Sequence, residues 1–552
     1  MPRRILLGDE AVALGAVHAG ITAAYAYPGT PSTEILEFLQ VYREEHGGPI
    51  ASWCANEKTA YEAALGTCFA GRRALVAMKH VGLNVAADAF INSALVHTHG
   101  GLVLAVADDP GMHSSQNEQD SRWYADFARV PCLEPATQQE AYDMTREAFE
   151  ISERFGVPVV LRLVTRLCHS RTSVEIRDGR AQNPIHRAAN KNSWILLPAN
   201  ARNQWRELLG RQKDIADWSD QSGWNSLTLN AHRTDLGVIT TGIAHNYLRE
   251  NLDDLGWAPS HLHIGAYPAP PHLLRTLVGH VQRVLVLEDG QPFIERQLRG
   301  LFPPTIRVMG RMSGEVPETG ELTPDLVRTA LKLKVRPGTT LEGLVLPNRP
   351  PQLCQGCPHA HAYHALQEAL TGYENTMVTA DIGCYTLGAL APLQAIESCV
   401  CMGASIGMAR GAAEAGVHPV VAVIGDSTFV HSGITALIDA ATADANMTLL
   451  ILDNETVGMT GAQDTVLPQS RLADVILGLG VAADQCTVVD AHPRKVHENA
   501  GVLRKAIEHK GLSVVIARRE CKVAAKRRQR AAAAAAATDG QAAAPDGQEV
   551  AS

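Results

Sequence analysis

Residues 421–456 read VAVIGDSTFVHSGITALIDAATADANMTLLILDNET. An apolar run ends at Gly425-Asp426-Ser427, a helical stretch follows from about Ser432, and a second apolar run ends at Asp453-Asn454. Apolar runs without polar alternation, joined through a helix, predict parallel strands buried on both faces. A right-handed crossover then brings Asp426 and Asn454, 28 positions apart, to the carboxyl ends of neighbouring strands. Ligands bind at that edge of such sheets. A carboxylate, a side-chain amide and a backbone carbonyl suit Mg²⁺, which takes oxygen ligands and shares phosphate oxygens with its substrate. Gly425 lets the backbone come close to phosphates. Gly-Asp alone would equally mark an ordinary strand–loop–helix crossover with a capping aspartate; the strand-to-strand spacing favours the metal.

The same rhythm extends outward. ITAAYAY (21–27), RRALVAM (72–78), GLVLAVAD (101–108) and VPVVLRLV (157–164) predict a first parallel sheet. The stretch 173–232 is rich in Arg, Asn, Gln and Trp and reads as a linker or insert with local helix. LGVITTG (236–242), HLHIGAY (261–267) and RVLVLEDG (283–290) predict a smaller α/β block over 233–335. Pro and Gly punctuate 335–352, a second linker. The third block covers 350–522, and the Ala-rich segment 523–552, poor in large apolar residues, is expected to be a disordered tail, since a local polyalanine helix would have nothing to pack against.

The totals agree. A chain of 552 residues suggests three or four domains at ~150 residues each. A net charge of -9 does not point to nucleic acid. No apolar run approaches the ~20 residues that span a bilayer. MPRRILLGDEAVALG reads as a first strand and helix, not a signal peptide, so a cytoplasmic location is expected. The eleven cysteines are then not expected to form a disulfide framework.

Four of them stand at element edges: Cys354 and Cys357 in CQGCPH, Cys384 in ADIGCYTLG, and Cys521 in ARREC. Four thiolates are the usual complement of a 4Fe–4S cluster. A structural zinc, a redox dithiol and unconnected thiols fit a CxxC as well. Cys399 and Cys401 read as core or cofactor-wall residues. In CANEKTAYEAALGTCFAG (54–71), Asn56 can cap a helix with Glu57 in its first turn.

The 421–456 stretch resembles the thiamine diphosphate signature, which begins Gly-Asp and ends in Asn. Ser427 stands where many relatives have Gly, and Asp453 where many have Asn. Thiamine chemistry needs a carboxyl group that shares a proton with the aminopyrimidine ring, and such enzymes carry it on a second α/β domain; Glu57 is the leading candidate. YPGTPSTEI (27–35), NEKTAYEAALG (56–66), MKHVGLNVAADAF (78–90), ADDPGMHSSQNEQDSR (107–122), GCPHAHAYHAL (356–366), ADIGCYTLGAL (380–390) and CMGASIGMARG (401–411) extend the likeness. From about residue 5 to 521 the chain resembles the large (alpha) subunit of indolepyruvate ferredoxin oxidoreductase.

The resemblance implies a multidomain α/β fold: a pyrimidine-binding thiamine diphosphate domain over 1–172, the insert, a transketolase C-terminal-like α/β domain over 233–335, and a diphosphate- and Mg²⁺-binding domain over 350–522, the two thiamine domains being doubly wound parallel sheets. It implies oxidative decarboxylation of aryl pyruvates to aryl-acetyl-CoA, with CoA as co-substrate, electrons passed to ferredoxin or a similar acceptor, and a smaller beta subunit in a hetero-oligomer. Mg²⁺ would be held by Asp426, Asn454 and the Thr456 carbonyl. Gly383, Gly403, Gly425 and Ser427 would line the cofactor. Glu57 would be the activating acid and Thr30 a substrate-side residue. Cys354, Cys357, Cys384 and Cys521 would hold one 4Fe–4S cluster. His80, Asn84, His113, Gln116 and Arg122 are candidates for the substrate carboxylate or for loop hydrogen bonding, and His359 and His431 for facing the cofactor or capping helices. The family usually continues into a ferredoxin-like segment with two further cysteine clusters. Here Cys521 leads into the Ala-rich tail, so electrons are expected to leave directly from the four-cysteine cluster. A non-oxidative 2-oxo acid decarboxylase or carboligase is one rival reading, and a thiamine-binding subunit that has lost catalysis and serves assembly is another.

Overall fold

The computed structural model describes residues 2–186, 190–299, 306–338 and 351–541. They fall into two compact units, Met1–Gly343 and Leu344–Ser552.

In the second unit six parallel strands run in the order Ser398–Cys399, Met377–Ala380, Val420–Gly425, Thr448–Asp453, Ser513–Arg518 and Cys486–Asp490. Successive side chains along a strand point to opposite faces. Val421, Val423, Leu450, Leu452 and Val515 enter a core shared with helices Pro358–Leu370 and Val496–Glu508. Val420, Ala422, Ile424, Leu449, Ile451 and Ile516 enter another, shared with Ala404–Glu414, Ile434–Thr442 and Gln469–Gly478. Burying each larger side chain contributes ~1.5–3 kcal/mol, and with helices on both faces no polar alternation survives. From Met377–Ala380 the chain crosses to Ser398–Cys399 on one side; from Val420–Gly425 it crosses to Thr448–Asp453 on the other. The carboxyl ends of those two central strands therefore flank a topological switch point, where doubly wound sheets bind ligands.

The first unit contains two larger sheets, beside an antiparallel pair of Arg3–Leu6 with Thr172–Glu175. One runs Ala266–Tyr267, Cys132–Leu133, Val159–Val164, Leu102–Asp108, Ala74–Lys79, Ala23–Ala26, Ile50–Trp53, with only Ala266–Tyr267 antiparallel. The other runs Arg307–Met309, Arg283–Leu287, Gly237–Thr241, Ser260–Ile264, Asn225–Thr228, with only the last antiparallel. Arg3–Leu6 and Gly8–His18 form the expected first strand and helix.

Two segments differ from expectation. Residues 173–232 do more than link: they supply helix Pro198–Gln221 and the edge strand Asn225–Thr228. The tail expected to be disordered is helical over Lys522–Gln541. Alanine is the best helix former, and Ala524 is buried, giving the first turn packing that composition did not reveal. Residues 542–552 lie outside the described residues, as do 339–350 of the second linker. No helix among the described residues is long and apolar enough to cross a membrane.

The two larger sheets of the first unit are pinned by enclosed charges. Arg162 Nε meets Asp108 Oδ2 at 2.7 Å and its Nη1 meets Glu134. Arg122 Nε donates to Asp120 Oδ1 at 2.9 Å and Nη1 to Glu288 Oε2 at 3.1 Å. The Tyr267 hydroxyl donates to Glu134. Arg122 is thus fully enclosed and committed to structural partners, which removes it from the candidates for a substrate carboxylate. Removing one member of a buried ion network strands the other charges, at a cost of about 3–5 kcal/mol. Arg162→Met is expected to lower unfolding stability by that order in chemical denaturation; an unchanged midpoint would contradict the role given to the network.

Candidate functional site

The switch point collects the buried acidic residues of the second unit, Asp381, Asp426 and Asp453. Asp426 follows Val420–Gly425 directly and is buried. Its Oδ1 accepts the Ser427 amide at 2.8 Å and its Oδ2 the Glu455 amide at 2.8 Å. Glu455 adopts a left-handed φ of 61°, uncommon without a glycine, in the loop that turns its N–H onto Asp426. Burial, with the field of Asp453, pushes the Asp426 carboxyl up to about 7. No ion pair reaches Asp426 among the described residues, whereas Asp453 is paired with Arg518 Nε at 2.9 Å.

Asn454 follows the next strand. Its Oδ1 accepts the Thr456 amide at 3.2 Å, and its Nδ2 lies 3.1 Å from His359 Nε2. Burial pushes the His359 ring down to about 4, so it is neutral, and the tautomer protonated at Nδ1 accepts the amide proton. The Thr456 hydroxyl donates to the Gln463 carbonyl at 2.9 Å, fixing the loop. Asp426, Asn454 and Thr456, chosen from sequence, are therefore brought together.

The glycines have a local cause that sequence did not show. A Cβ on Gly425 would stand 2.7 Å from Tyr385 Cε1, and one on Gly383 2.3 Å from the same atom. The Tyr385 ring fills the space both leave, and its hydroxyl donates to the buried Asp381. Asp381 also accepts the Ser405 amide at 3.2 Å, and burial pushes its carboxyl up to about 6. Gly403, at φ 82°, starts helix Ala404–Glu414, and a Cβ there would meet Ser432 Cβ at 2.6 Å. Ser432 and the buried His431 lie in a π-helical turn, Phe429–Gly433, an irregularity frequent at functional sites. Asp381, Tyr385 and this turn escaped the sequence reading because their roles arise from contacts across the sheet edge. Gly425→Ala is expected to overpack the Tyr385 ring and lower stability by about 1–3 kcal/mol; an unaltered unfolding midpoint would contradict the packing argument.

The four cysteines converge beside this loop. The Cys357 amide donates to the Cys354 carbonyl at 3.0 Å, and the Cys521 amide to the Asn454 carbonyl at 3.1 Å. Burial pushes the Cys384 thiol up to about 12, and Cys357, Cys521, Cys354 and Asp426 are all near enough to add to it. Among the described residues, no three of these sulfurs lie within 4.8 Å of one another. Cys399 and Cys401, expected in a core or cofactor wall, are exposed.

In the first unit, Thr30 follows strand Ala23–Ala26 and Glu57 opens helix Glu57–Phe69 after Ile50–Trp53, at the same carboxyl edge. Asn56 caps that helix as expected, accepting the Thr59 amide at 2.9 Å. Glu57 is buried, and only a glycine at position 82 leaves it room: a Cβ there would stand 2.6 Å from Glu57 Oε1. The buried cation under the Thr30 loop is one the sequence reading passed over. A Cβ on Gly29 would lie 3.1 Å from Lys79 Cβ. Lys79 Nζ donates to the Ser114 carbonyl at 2.8 Å, and burial pushes it down to about 8. The adjoining His80 is buried with no hydrogen bond to either ring nitrogen among the described residues. Asn84 accepts from the Tyr124 hydroxyl at 2.5 Å, His113 pairs with Glu321 at 3.4 Å, and Gln116 is exposed.

Comparison with known proteins bears on both edges. The family model "Thiamine pyrophosphate enzyme, C-terminal TPP binding domain" matches residues 381–517. "Pyruvate flavodoxin/ferredoxin oxidoreductase, thiamine diP-bdg" matches residues 14–202. Indolepyruvate oxidoreductase subunit IorA of Archaeoglobus fulgidus is 38% identical over 549 residues, covering 95% of this chain and 87% of that protein. The subunit of the same name from Methanothermobacter thermautotrophicus is 36% identical, covering 94% and 87%, and that from Pyrococcus abyssi 36%, covering 94% and 86%. A solved 2-oxoglutarate:ferredoxin oxidoreductase from Magnetococcus marinus, with 2-oxoglutarate, coenzyme A and succinyl-CoA bound, superposes with a TM-score of 0.50 at 17% identity over 60% of this chain and 65% of that one, a likeness of fold.

Proposed function

Because the chain belongs to the family of indolepyruvate oxidoreductase IorA subunits, we propose that it is the alpha subunit of a thiamine diphosphate-dependent oxidoreductase that decarboxylates aryl pyruvates to aryl-acetyl-CoA and passes the electrons to ferredoxin or a similar acceptor. The observation that carries this reading is the buried Asp426, bound by two backbone amides and joined to the Asn454–Thr456 loop at a topological switch point. The site fits a divalent cation. A buried carboxylate without a cationic partner is pushed toward its protonated form, and an ion beside it would restore the charge. Asp426, the Asn454 amide oxygen and the Thr456 carbonyl are the proposed Mg²⁺ ligands. Gly383, Gly403, Gly425 and Ser427 line the diphosphate side.

When bound, thiamine diphosphate supplies the nucleophilic carbon and the electron sink that loss of CO₂ from a 2-oxo acid requires. The protein's part is proton handling and placement. Glu57, buried against Gly82, is the carboxyl group proposed to exchange a proton with the aminopyrimidine. Thr30 is a proposed substrate-side donor. Lys79, beneath the same loop, offers the positive charge that a 2-oxo acid carboxylate needs. Cys354, Cys357, Cys384 and Cys521 are the proposed ligands of one 4Fe–4S cluster, supported by their convergence beside the Asn454 loop. Coenzyme A is the proposed acyl acceptor. The relatives are named as subunits, and a smaller beta subunit is the proposed partner.

Anaerobic purification with the partner subunit, followed by thiamine and iron analysis and CoA-dependent viologen reduction with indolepyruvate and phenylpyruvate, tests the reading. Aldehyde release without viologen reduction would favour the non-oxidative decarboxylase instead. General acid–base groups contribute about 10²–10⁴-fold, so Glu57→Gln is expected to slow CO₂ release from indolepyruvate by at least about 10²-fold; unchanged release would sink the assignment. Cys384→Ser is expected to lose iron while Cys486→Ser keeps it, and equal iron in both would remove Cys384 from the cluster.

A further inference from the structure

The first unit holds another group of ligand-type side chains. Asp9 lies in the first turn of helix Gly8–His18, Glu34 in the first turn of Thr33–His46, and His169 ends Thr165–His169. A carboxylate oxygen from each acid and a ring nitrogen of His169 lie within 4.8 Å of one another. His169 Nε2 is 3.6 Å from Glu34 Oε1.

The second observation is the state of Asp9. It is 0% exposed, and neither of its oxygens has a well-aligned hydrogen-bond donor among the described residues; the Cys168 thiol and the Glu34 carboxyl are its polar neighbours. Glu34 Oε2 is buried in the same condition. Capping does not account for Asp9, because the Leu7 amide is already taken by Glu10 Oε2 at 2.8 Å. Burial pushes the Asp9 carboxyl well above its usual range; the Cys168 thiol opposes this and Glu34 adds to it. A buried, unpaired carboxylate beside another costs several kcal/mol unless a cation or a shared proton neutralises the pair. Glu34 holds the His169 ring toward its protonated form, and a bound metal ion would displace that proton. Two carboxylates with an imidazole are a donor set for a divalent transition metal, and the side chain of His169, 36% exposed, leaves an approach from solvent.

We infer that Asp9, Glu34 and His169 bind a divalent transition-metal ion of the Zn²⁺ type. The ion would tie the starts of two helices to the segment that leaves strand Val159–Val164. Glu34 stands four positions after Thr30, so the ion would also anchor the helix that follows the Thr30 loop. The inference is independent of the thiamine and iron–sulfur chemistry.

The purified full-length protein is equilibrated with Zn²⁺, desalted and analysed for bound metal beside Asp9→Asn and His169→Gln. Zinc held by the cysteines is common to all three and cancels. The expected result is about one Zn²⁺ per chain fewer in each variant, and a chelator-induced drop in Tm that wild type shows and the variants lack. Equal zinc content in wild type and His169→Gln would overturn the inference in favour of a shared proton. Asp9 is buried, so if Asp9→Asn fails to fold, the partly exposed His169→Gln decides alone.

Discussion

A carboxylate buried at a sheet edge must find partners, and the second unit is arranged around the partners of Asp426. Two backbone amides meet its oxygens, one from the next residue and one from the loop after the neighbouring strand. That second amide requires Glu455 to take a left-handed conformation, and the turn sets the position of Asn454 and Thr456. His359 holds the Asn454 amide from one side, and Cys521 holds its carbonyl from the other. Beneath the loop, Tyr385 fills the space of two missing side chains and reaches Asp381. These contacts hold position because the strands that end here are packed on both faces.

In the first unit the corresponding edge carries Thr30, Glu57 and Lys79. Its rigidity has a different source. Arg122 and Arg162 satisfy four carboxylates from both sheets, and the strand Ala266–Tyr267 crosses from the second sheet's segment to pair with the first. An arginine in a polar loop motif looks like an anion receptor in sequence. Here it serves as a structural cation, and the cation near the Thr30 loop is a lysine three residues before the start of GLNVAADAF.

What was legible in the sequence was what local rules encode. Continuous apolar runs gave the two-faced parallel sheets, the strand-to-strand spacing gave the Asp426–Asn454 pair, and Asn56 gave the start of the helix that carries Glu57. What was not legible depends on partners distant in sequence. Gly425 owes its small size to Tyr385, 40 positions before it, and Arg122 meets Glu288, 166 positions away. Composition read the alanine-rich segment as disordered because it contains few large apolar residues, yet helix propensity and the burial of Ala524 suffice to start a helix. The thiamine family followed from motifs spread along the chain, and relatives covering 95% of it bear that out.

The central claim is that Asp426 anchors a divalent cation for a diphosphate. Titration calorimetry with thiamine diphosphate, with and without Mg²⁺, on wild type and Asp426→Asn tests it most directly. The account requires Mg²⁺-dependent binding to wild type and at least a tenfold loss of affinity, about 1.4 kcal/mol, in the variant. Equal affinity in the two proteins, or binding to wild type indifferent to Mg²⁺, would contradict it.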